Sequence, residues 1–302
     1  MRDIPPDLAA YSSDKPSCTL HLLFLHHSCG GQLLADRGEI RERDPGTCIY
    51  LTHPNAGGLR SALGRNNYTV HEASYGSSLG QGTDICHWRR KFRDHMGAVL
   101  SCDGQDRPFR DGTRNRIVVF KSCFPNSWID SEGRGPGDPD SSEKTMANYK
   151  AAYRSLLKYF EQNPETLFMA VTAPPLVKPA PDRSFIRMML GRPDPADEIG
   201  KRARDFNNWL KNIYSGWLKD YPLRNVVVFD YYDFLTFYGA SNWLRYPSVT
   251  GRDGHPSAEG NAKAAIEMVP FLNRALNRLE NIEAPRKYVM GRSQTTYSHS
   301  PF

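Results

Sequence analysis

Five short runs of apolar, β-prone residues recur along the chain, and longer stretches with a helical spacing of apolar residues separate them. The runs lie at residues 19–25, 68–73, 116–120, 167–171 and 225–229. Several are almost continuously hydrophobic, which is typical of strands buried on both faces of a sheet. The helical patterns lie at residues 84–96, 143–162 and 197–219. This alternation predicts an α/β fold, in which helices cover both faces of a parallel sheet.

One large domain fits the length of 302 residues, because the chain has enough apolar (39%) and aromatic (11%) residues to bury a substantial core. We assign residues 17–280 to this domain and residues 1–16 to an N-terminal extension. Residues 281–302 form a polar C-terminal tail. The final helix is expected over residues 257–278, with Ser257 as its N-cap and a kink at Pro270.

The charge pattern argues against a nucleic-acid partner. The net charge is +6, and the strongest basic run, residues 89–93, is followed by Asp94, as on a solvated helix face. No run of about 18 apolar residues is present, so no membrane span is expected. The N-terminus lacks the apolar centre of a signal peptide, which makes a cytoplasmic location the default expectation. A secreted protein whose leader had been removed would have the same sequence.

No metal or other cofactor is expected. The six cysteines form no C-x-x-C pair, which argues against a zinc ribbon, and their even number leaves disulfides open. His26 and His27 are adjacent at a predicted strand end, so their side chains should point to opposite sides rather than chelate one ion. The glycine-rich stretches 55–58 and 76–82 lack the Gly-Lys-Ser/Thr of a phosphate-binding loop.

Chemically distinctive residues follow the first three predicted strands. Ser28 follows the first, the glycine-rich stretch 74–83 the second, and Asn126 the third. Ligands of open parallel sheets bind beyond the carboxyl ends of the strands, so these loops would share one rim if strands two, one and three are neighbours. A hydroxyl needs a base to become a nucleophile, and His255 after Asp253 near the C-terminus supplies an imidazole beside a carboxylate.

These four blocks resemble, in the same order, those of the SGNH/GDSL-type serine hydrolases, over roughly residues 17–280. The resemblance implies a three-layer α/β/α flavodoxin-like fold with a five-stranded parallel sheet and ester hydrolysis without a metal. It identifies Ser28 as nucleophile, His255 as general base and Asp253 as the nearest candidate for the orienting acid.

The same resemblance implies that the amide of Ser28, Gly80 and the side chain of Asn126 form the oxyanion hole. Gly76 and Gly82 are rivals of Gly80. An alternative interpretation makes Asn126 a turn former beside proline and Ser28 a cap of the following helix.

The chain departs from the family pattern in three blocks. The serine lies in His-His-Ser-Cys instead of Gly-Asp-Ser-Leu, and the third block lacks Gly-x-Asn-Asp. Asp253 lies two residues before His255 rather than the commoner three, so a backbone carbonyl is an alternative orienting group.

Other polar and apolar features have open interpretations. Lys121 would either attract an anionic substrate or pair with a local acid, and Asp230 and Asp233 are expected as loop and cap residues. The proline-rich stretch 174–195 encloses an apolar patch at 185–190, which is either a lid over a pocket or a short helix packed on the body.

We therefore expect a serine esterase that acts on a small-molecule or carbohydrate ester, most plausibly with a short acyl group such as acetyl. Two alternatives remain at this level. One is an acyltransferase, and the other is a non-catalytic carbohydrate-binding or scaffold protein with a degenerate triad. The sequence does not determine the oligomeric state.

Overall fold

A computed structural model describes residues 6–180, 194–248, 251 and 253–281. The strands, in chain order, are β1 (Leu20–Leu25), β2 (Asp36–Arg37), β3 (Arg41–Glu42), β4 (Tyr50–His53), β5 (Tyr68–Ala73), β6 (Cys102–Gly104), β7 (Arg107–Pro108), β8 (Ile117–Lys121), β9 (Leu167–Val171) and β10 (Val226–Phe229). The helices are α1 (Pro6–Ala9), α2 (Ser28–Leu34), α3 (Leu59–Arg65), α4 (Ile85–Asp94), α5 (Met96–Leu100), α6 (Met146–Glu161), α7 (Pro195–Lys211), α8 (Tyr231–Leu235) and α9 (Ala258–Leu279), with a 3-10 helix at Phe124–Ser127.

The central sheet has five parallel strands in the order β10-β9-β8-β1-β5. Numbered along the chain, these five strands have the order 2-1-3-4-5, the flavodoxin-like arrangement. The register places Leu25, at the end of β1, opposite both Ala73 of β5 and Phe120 of β8. The predicted α/β fold is therefore confirmed, and the condition that the second, first and third of these strands are neighbours is met.

Each face of the sheet carries its own apolar core, because successive side chains of a strand point to opposite faces. Leu23 and Leu25 of β1 pack with α4 and α6, where Trp88, Phe92 and Phe160 are buried. The intervening β1 residues pack on the other face with α2, α3 and α9. The molecule is thus a three-layer α/β/α sandwich.

Helix α7 ends at Lys211, earlier than the apolar spacing predicts. The Asn212 side chain accepts hydrogen bonds from the N–H groups of Tyr214 (2.9 Å) and Ser215 (3.0 Å), a local arrangement that competes with helix continuation. The chain then turns back, and Trp217 donates its indole N–H to the carbonyl of Tyr153 at 2.7 Å. The apolar residues after Lys211 therefore reach the core from a turn.

Helix α9 begins as the sequence predicts. The Ser257 side chain accepts a hydrogen bond from the N–H of Gly260, and the helix continues through Pro270 to Leu279. Residues 6–16 pack along this helix: Asn277 and Asn273 donate side-chain hydrogen bonds to the carbonyls of Ser12 (2.8 Å) and Ser13 (2.9 Å). The C-terminal half of α9 is thereby tied to the N-terminal residues of the chain.

Candidate active site

Ser28 is the first residue of α2, and only His26 and His27 separate it from the end of β1. The N-cap position belongs to His27, whose side chain makes no capping hydrogen bond, so Ser28 does not serve as the helix cap. Instead, Ser28 Oγ lies 2.8 Å from Nε2 of His255, a residue 227 positions away in the chain. The structure thus brings together the hydroxyl and the imidazole that the sequence singled out.

Two strand-like segments hold His255 in place. An isolated antiparallel bridge pairs Pro247 with Pro256, and the N–H of Ser248 donates to the carbonyl of His255 at 3.0 Å. Ser257, two residues after His255, caps α9. His255 is consequently fixed by hydrogen bonds on its own backbone and by the helix that follows it.

Asp253 contacts the opposite side of the His255 ring. Its Oδ1 lies 3.2 Å from His255 Nδ1 and also accepts the backbone N–H of His255 at 3.0 Å. The two-residue spacing therefore suits an acid that holds the ring and the backbone of one residue with a single oxygen. The Asp253 side chain is 49% exposed, so water screens its charge.

An aromatic ring supports His255 from a third direction, and sequence reasoning missed it. The ring of Phe124 contacts the imidazole edge to face, with centroids 5.1 Å apart. A Cβ atom on Gly254 would lie 2.4 Å from Cγ of Phe124, so only glycine leaves room for this contact. The glycine between Asp253 and His255 was the sequence signal for such a close approach.

The backbone N–H of Ser28 is available to a bound substrate. It lies at the N-terminus of α2, and no acceptor for it occurs in the part of the chain that the structure describes. N–H groups of a first helical turn carry partial positive charge, which suits an oxygen that becomes negative.

In this conformation, the N–H of Gly80, a predicted oxyanion donor, is hydrogen-bonded within its own loop. Its N–H donates to Ser77 Oγ at 2.8 Å, and its carbonyl accepts from Nε2 of His27 at 3.0 Å. A Cβ at position 80 would lie 2.0 Å from the carbonyl oxygen of Ser74. The glycine is thus required by close packing of its own loop.

The side-chain amide of Asn126, the other predicted donor, is also hydrogen-bonded to the protein in this conformation. Its Nδ2 donates to Asp84 Oδ1 at 2.7 Å and to the carbonyl of Cys123 at 3.3 Å, and its Oδ1 accepts the N–H of Ile85 at 3.0 Å. Asn126 therefore joins the loop after β8 to the start of α4. Its structural interpretation as a turn residue fits these contacts better.

Two further histidines lie near the Ser28–His255 pair. His27 stacks on Tyr75 at a centroid distance of 3.7 Å, and burial lowers the pKa of His27, so its neutral ring donates Nε2–H to Gly80. His53 accepts the N–H of Asn55 on Nδ1 at 3.0 Å, which leaves the proton of the neutral ring on Nε2. The pKa of His53 is lowered by burial and then by the charge of His255. Nothing in the sequence singled out His53.

A buried cation lies behind the nucleophile loop. The Lys121 side chain is fully buried, and its Nζ donates to the carbonyl of Ser122 at 3.2 Å and lies 3.9 Å from Cys123 Sγ. Neither predicted role for Lys121 fits, since its ammonium faces no solvent and no carboxylate pairs with it within the described ranges.

A hydrogen bond from the Cys29 thiol and the charge of Lys121 lower the pKa of Cys123. All six cysteines are free thiols.

Asp230 takes a cap position, as the sequence predicts, and Asp233 lies in the first turn of α8. Asp230 caps α8 by accepting the N–H of Asp233 at 3.0 Å, and Lys211 pairs with both carboxylates.

Among the described residues, no group of three or more His, Cys, Asp or Glu side chains is placed to hold a metal ion. No helix of the described segments is long and apolar enough to cross a bilayer. The apolar patch at 185–190 lies outside the described residues.

The sequence pattern of the GDSL-like lipase/acylhydrolase family matches residues 136–268 of this chain. The matched segment includes β9, β10 and the turn that carries Asp253 and His255, whereas Ser28 precedes it. Among curated proteins, no relative matches the chain.

Solved structures of esterases are similar to the chain at low identity. One is a carbohydrate esterase described as having an active site with divergent catalytic and non-catalytic binding functions (13% identity, TM-score 0.41, covering 87% of this chain and 68% of that one). Another is Axe2, an acetylxylan esterase from Geobacillus stearothermophilus (14% identity, TM-score 0.38, covering 90% of this chain and 99% of Axe2). A catalytic mutant of Axe2 has 14% identity and a TM-score of 0.37, covering 88% of this chain and 95% of the mutant.

Proposed function

Residues 136–268 match the GDSL-like lipase/acylhydrolase family, and on this premise we propose that the chain is a carboxylic ester hydrolase of that family with Ser28, His255 and Asp253 as its catalytic triad. The observation that carries the proposal is the 2.8 Å contact between Ser28 Oγ and His255 Nε2. This distance lies within the range over which an imidazole accepts a proton from an attacking hydroxyl.

The reaction proceeds through an acyl-enzyme. Ser28 Oγ attacks the ester carbonyl carbon while His255 Nε2 takes its proton, and Asp253 stabilises the resulting imidazolium through Nδ1–H. The tetrahedral intermediate collapses as His255 returns the proton to the leaving alcohol. Water, deprotonated by the same imidazole, then attacks the acyl-enzyme and releases the carboxylic acid and free Ser28.

The N–H of Ser28 is the donor assigned here to the oxyanion. It belongs to the nucleophile's own residue, so it lies near the carbonyl oxygen of any group that Ser28 attacks. Gly80 and Asn126 contribute indirectly in this scheme, because their hydrogen bonds shape the loops on either side of α2.

The substrate proposed is an ester with a short acyl group, such as acetyl, on a polar or carbohydrate alcohol. Polar and aromatic side chains flank Ser28 among the described residues: His27 on Tyr75, His53, and Phe124 against His255. Rings with polar edges suit an alcohol that carries further hydroxyl groups better than they suit a long acyl chain.

Labelling with a fluorophosphonate tests the nucleophile. The wild-type protein should form one adduct on Ser28, whereas Ser28→Ala should form none and His255→Ala should react at least a thousandfold more slowly while remaining folded. An unlabelled but folded wild-type protein would refute the triad and leave the non-catalytic binding alternative.

A panel of p-nitrophenyl esters from acetate to octanoate, followed by an acetylated oligosaccharide, tests the substrate. The proposal requires kcat/KM to fall as the acyl chain lengthens. Product analysis with a second alcohol present distinguishes hydrolysis from acyl transfer, because a transferase would yield the new ester in place of the free acid.

A further inference from the structure

The side chain of His26 is buried behind the nucleophile loop in an ionic network. Its Nε2 lies 3.1 Å from Glu72 Oε2, and the side chains of both residues are fully buried. Arg60, from α3, donates to the other carboxylate oxygen of Glu72 at 2.7 Å and to the carbonyl of Tyr50 at 2.9 Å. Burying charged groups costs free energy unless the groups pair with one another, as His26, Glu72 and Arg60 do here.

The second ring nitrogen of His26 reaches the backbone of the active-site turn. Nδ1 lies 2.9 Å from the carbonyl oxygen of His27. The N–H groups of Gly30 (2.8 Å) and Gly31 (3.1 Å) donate to the same oxygen. A Cβ on Gly30 would lie 2.3 Å from Cβ of His26, so glycine at position 30 allows the imidazole to lie against the first turn of α2.

The carbonyl of His27 and the N–H of Ser28 belong to one peptide group. Because that group is planar and trans, the two bonds point in opposite directions, and fixing the carbonyl fixes the direction of the N–H. We propose that His26 is a positioning residue that orients and polarises the His27–Ser28 peptide, so that the Ser28 N–H faces the oxyanion as a strengthened donor. This inference rests on the proposed function, since it assigns the Ser28 N–H to the oxyanion.

The contacts of His26 specify its protonation state. Both ring nitrogens face oxygen acceptors, namely the Glu72 carboxylate and the His27 carbonyl. Although burial favours the neutral acid, hydrogen bonds and charges from His26 and Arg60 lower the pKa of Glu72. Glu72 therefore accepts from His26 as a carboxylate, and His26 donates from both nitrogens as an imidazolium.

Three further contacts of His26 within the described ranges carry no formal charge. Phe24 of β1 contacts its ring edge to face at 5.1 Å, Gly30 of α2 lies against it, and the His27 ring is neutral. A positive ring on the His27 carbonyl draws electron density from the peptide, and this makes the Ser28 N–H a better donor.

Two substitutions separate the two contacts of His26. In His26→Asn, the amide nitrogen occupies the place of Nδ1 and keeps the bond to the His27 carbonyl. In His26→Gln, the amide nitrogen occupies the place of Nε2 and keeps the bond to Glu72. The exposed His95 provides a matched control as His95→Asn, which should react like the wild type.

Fluorophosphonate labelling and steady-state hydrolysis of p-nitrophenyl acetate are the readouts. His26→Gln should lose about tenfold to hundredfold in labelling rate and kcat with little change in KM, because the oxyanion exists only in the transition state and the intermediate. His26→Asn should keep a rate within about fivefold of wild type, since it retains the orienting bond.

The outcomes separate the inference from the proposed function. A wild-type protein that is not labelled refutes the triad and this inference together. A labelled wild-type protein with equal rates in the two His26 variants, at any level, overturns the role of His26 alone. If both variants fail to fold, Glu72→Gln decides, because it removes the charge that holds His26 Nε2: a labelling rate below that of the wild type supports the inference, and an unchanged rate overturns it.

Discussion

Replacing Asp253 by asparagine should separate the charge of the acid from its contacts. One oxygen, Oδ1, accepts the backbone N–H of His255 and lies 3.2 Å from the ring Nδ1. Asparagine retains an Oδ1 that can keep both contacts and removes only the negative charge. Asp253→Ala removes the charge and both contacts, so it serves as the matched comparison.

The expected magnitude follows from the exposure of the carboxylate. Two unit charges about 4 Å apart attract by about 1 kcal/mol in water and by about 4 kcal/mol at an effective dielectric constant of about 20. A side chain that is 49% exposed lies between these limits, which suggests about 2 kcal/mol for the imidazolium formed during attack. Because about 1.4 kcal/mol changes a rate tenfold, Asp253→Asn should lower kcat about thirtyfold.

The assay is the kcat for a p-nitrophenyl ester, measured at low and high salt. The wild-type rate should fall modestly as salt screens the half-exposed charge, whereas the asparagine variant should show no such dependence. Asp253→Ala should be slower than Asp253→Asn, because the ring also loses its tether. A loss of about ten thousandfold in Asp253→Asn, as for a buried triad acid, would refute the screening argument. An unchanged rate would show that Asp253 does not act on His255.

Three further results should follow. Gly254→Ala should lower kcat more than tenfold without changing the fold, because the new Cβ would lie 2.4 Å from Phe124 Cγ and displace His255. If this clash with Phe124 is the cause, adding Phe124→Ala should restore part of the rate. Phe92→Ala should lower the free energy of unfolding, measured with urea, by about 3–5 kcal/mol, because the Phe92 ring is fully buried among other aromatic rings. Ser28 should still be labelled at low temperature in this variant. A much smaller loss of stability would contradict this packing. The pKa of Glu72 is lowered in the folded protein, so its ionised form contributes stability that is lost as the pH falls through that pKa. In Glu72→Gln, Tm should therefore decline less steeply below about pH 4.3 than in the wild type. An equally steep decline in the two proteins would argue against this linkage.

Much of the fold follows from local pattern. The runs at 68–73 and 167–171 coincide with strands, because a strand buried on both faces must be apolar along its whole length. The start of α9 was predictable for a similar reason, since the Ser257 cap acts within one turn. The end of α7 was not, because the Asn212 turn and the packing of Trp217 on Tyr153 interrupt a continuous apolar spacing.

The oxyanion donors illustrate a different limit. Gly80 and Asn126 have the residue types and strand-end positions that such donors require, yet Ser77 and Asp84 take their hydrogens. Whether an N–H group is available depends on every acceptor that the fold brings within about 3 Å of it. Residue type and position alone therefore could not distinguish donors to a substrate from donors to the protein.

The sequence by itself determined the alternation of strands and helices, and with it the rim where Ser28 lies. It also singled out His255, because a histidine followed by proline and a helix cap is a local signal. Only the tertiary structure decided that Asp253 reaches His255 while half exposed, that Phe124 supports the ring, and that His26 is buried against Glu72. The physical reason is range: periodicity and capping act between near neighbours in the chain, whereas hydrogen-bond partners and burial are set by segments that meet only after folding.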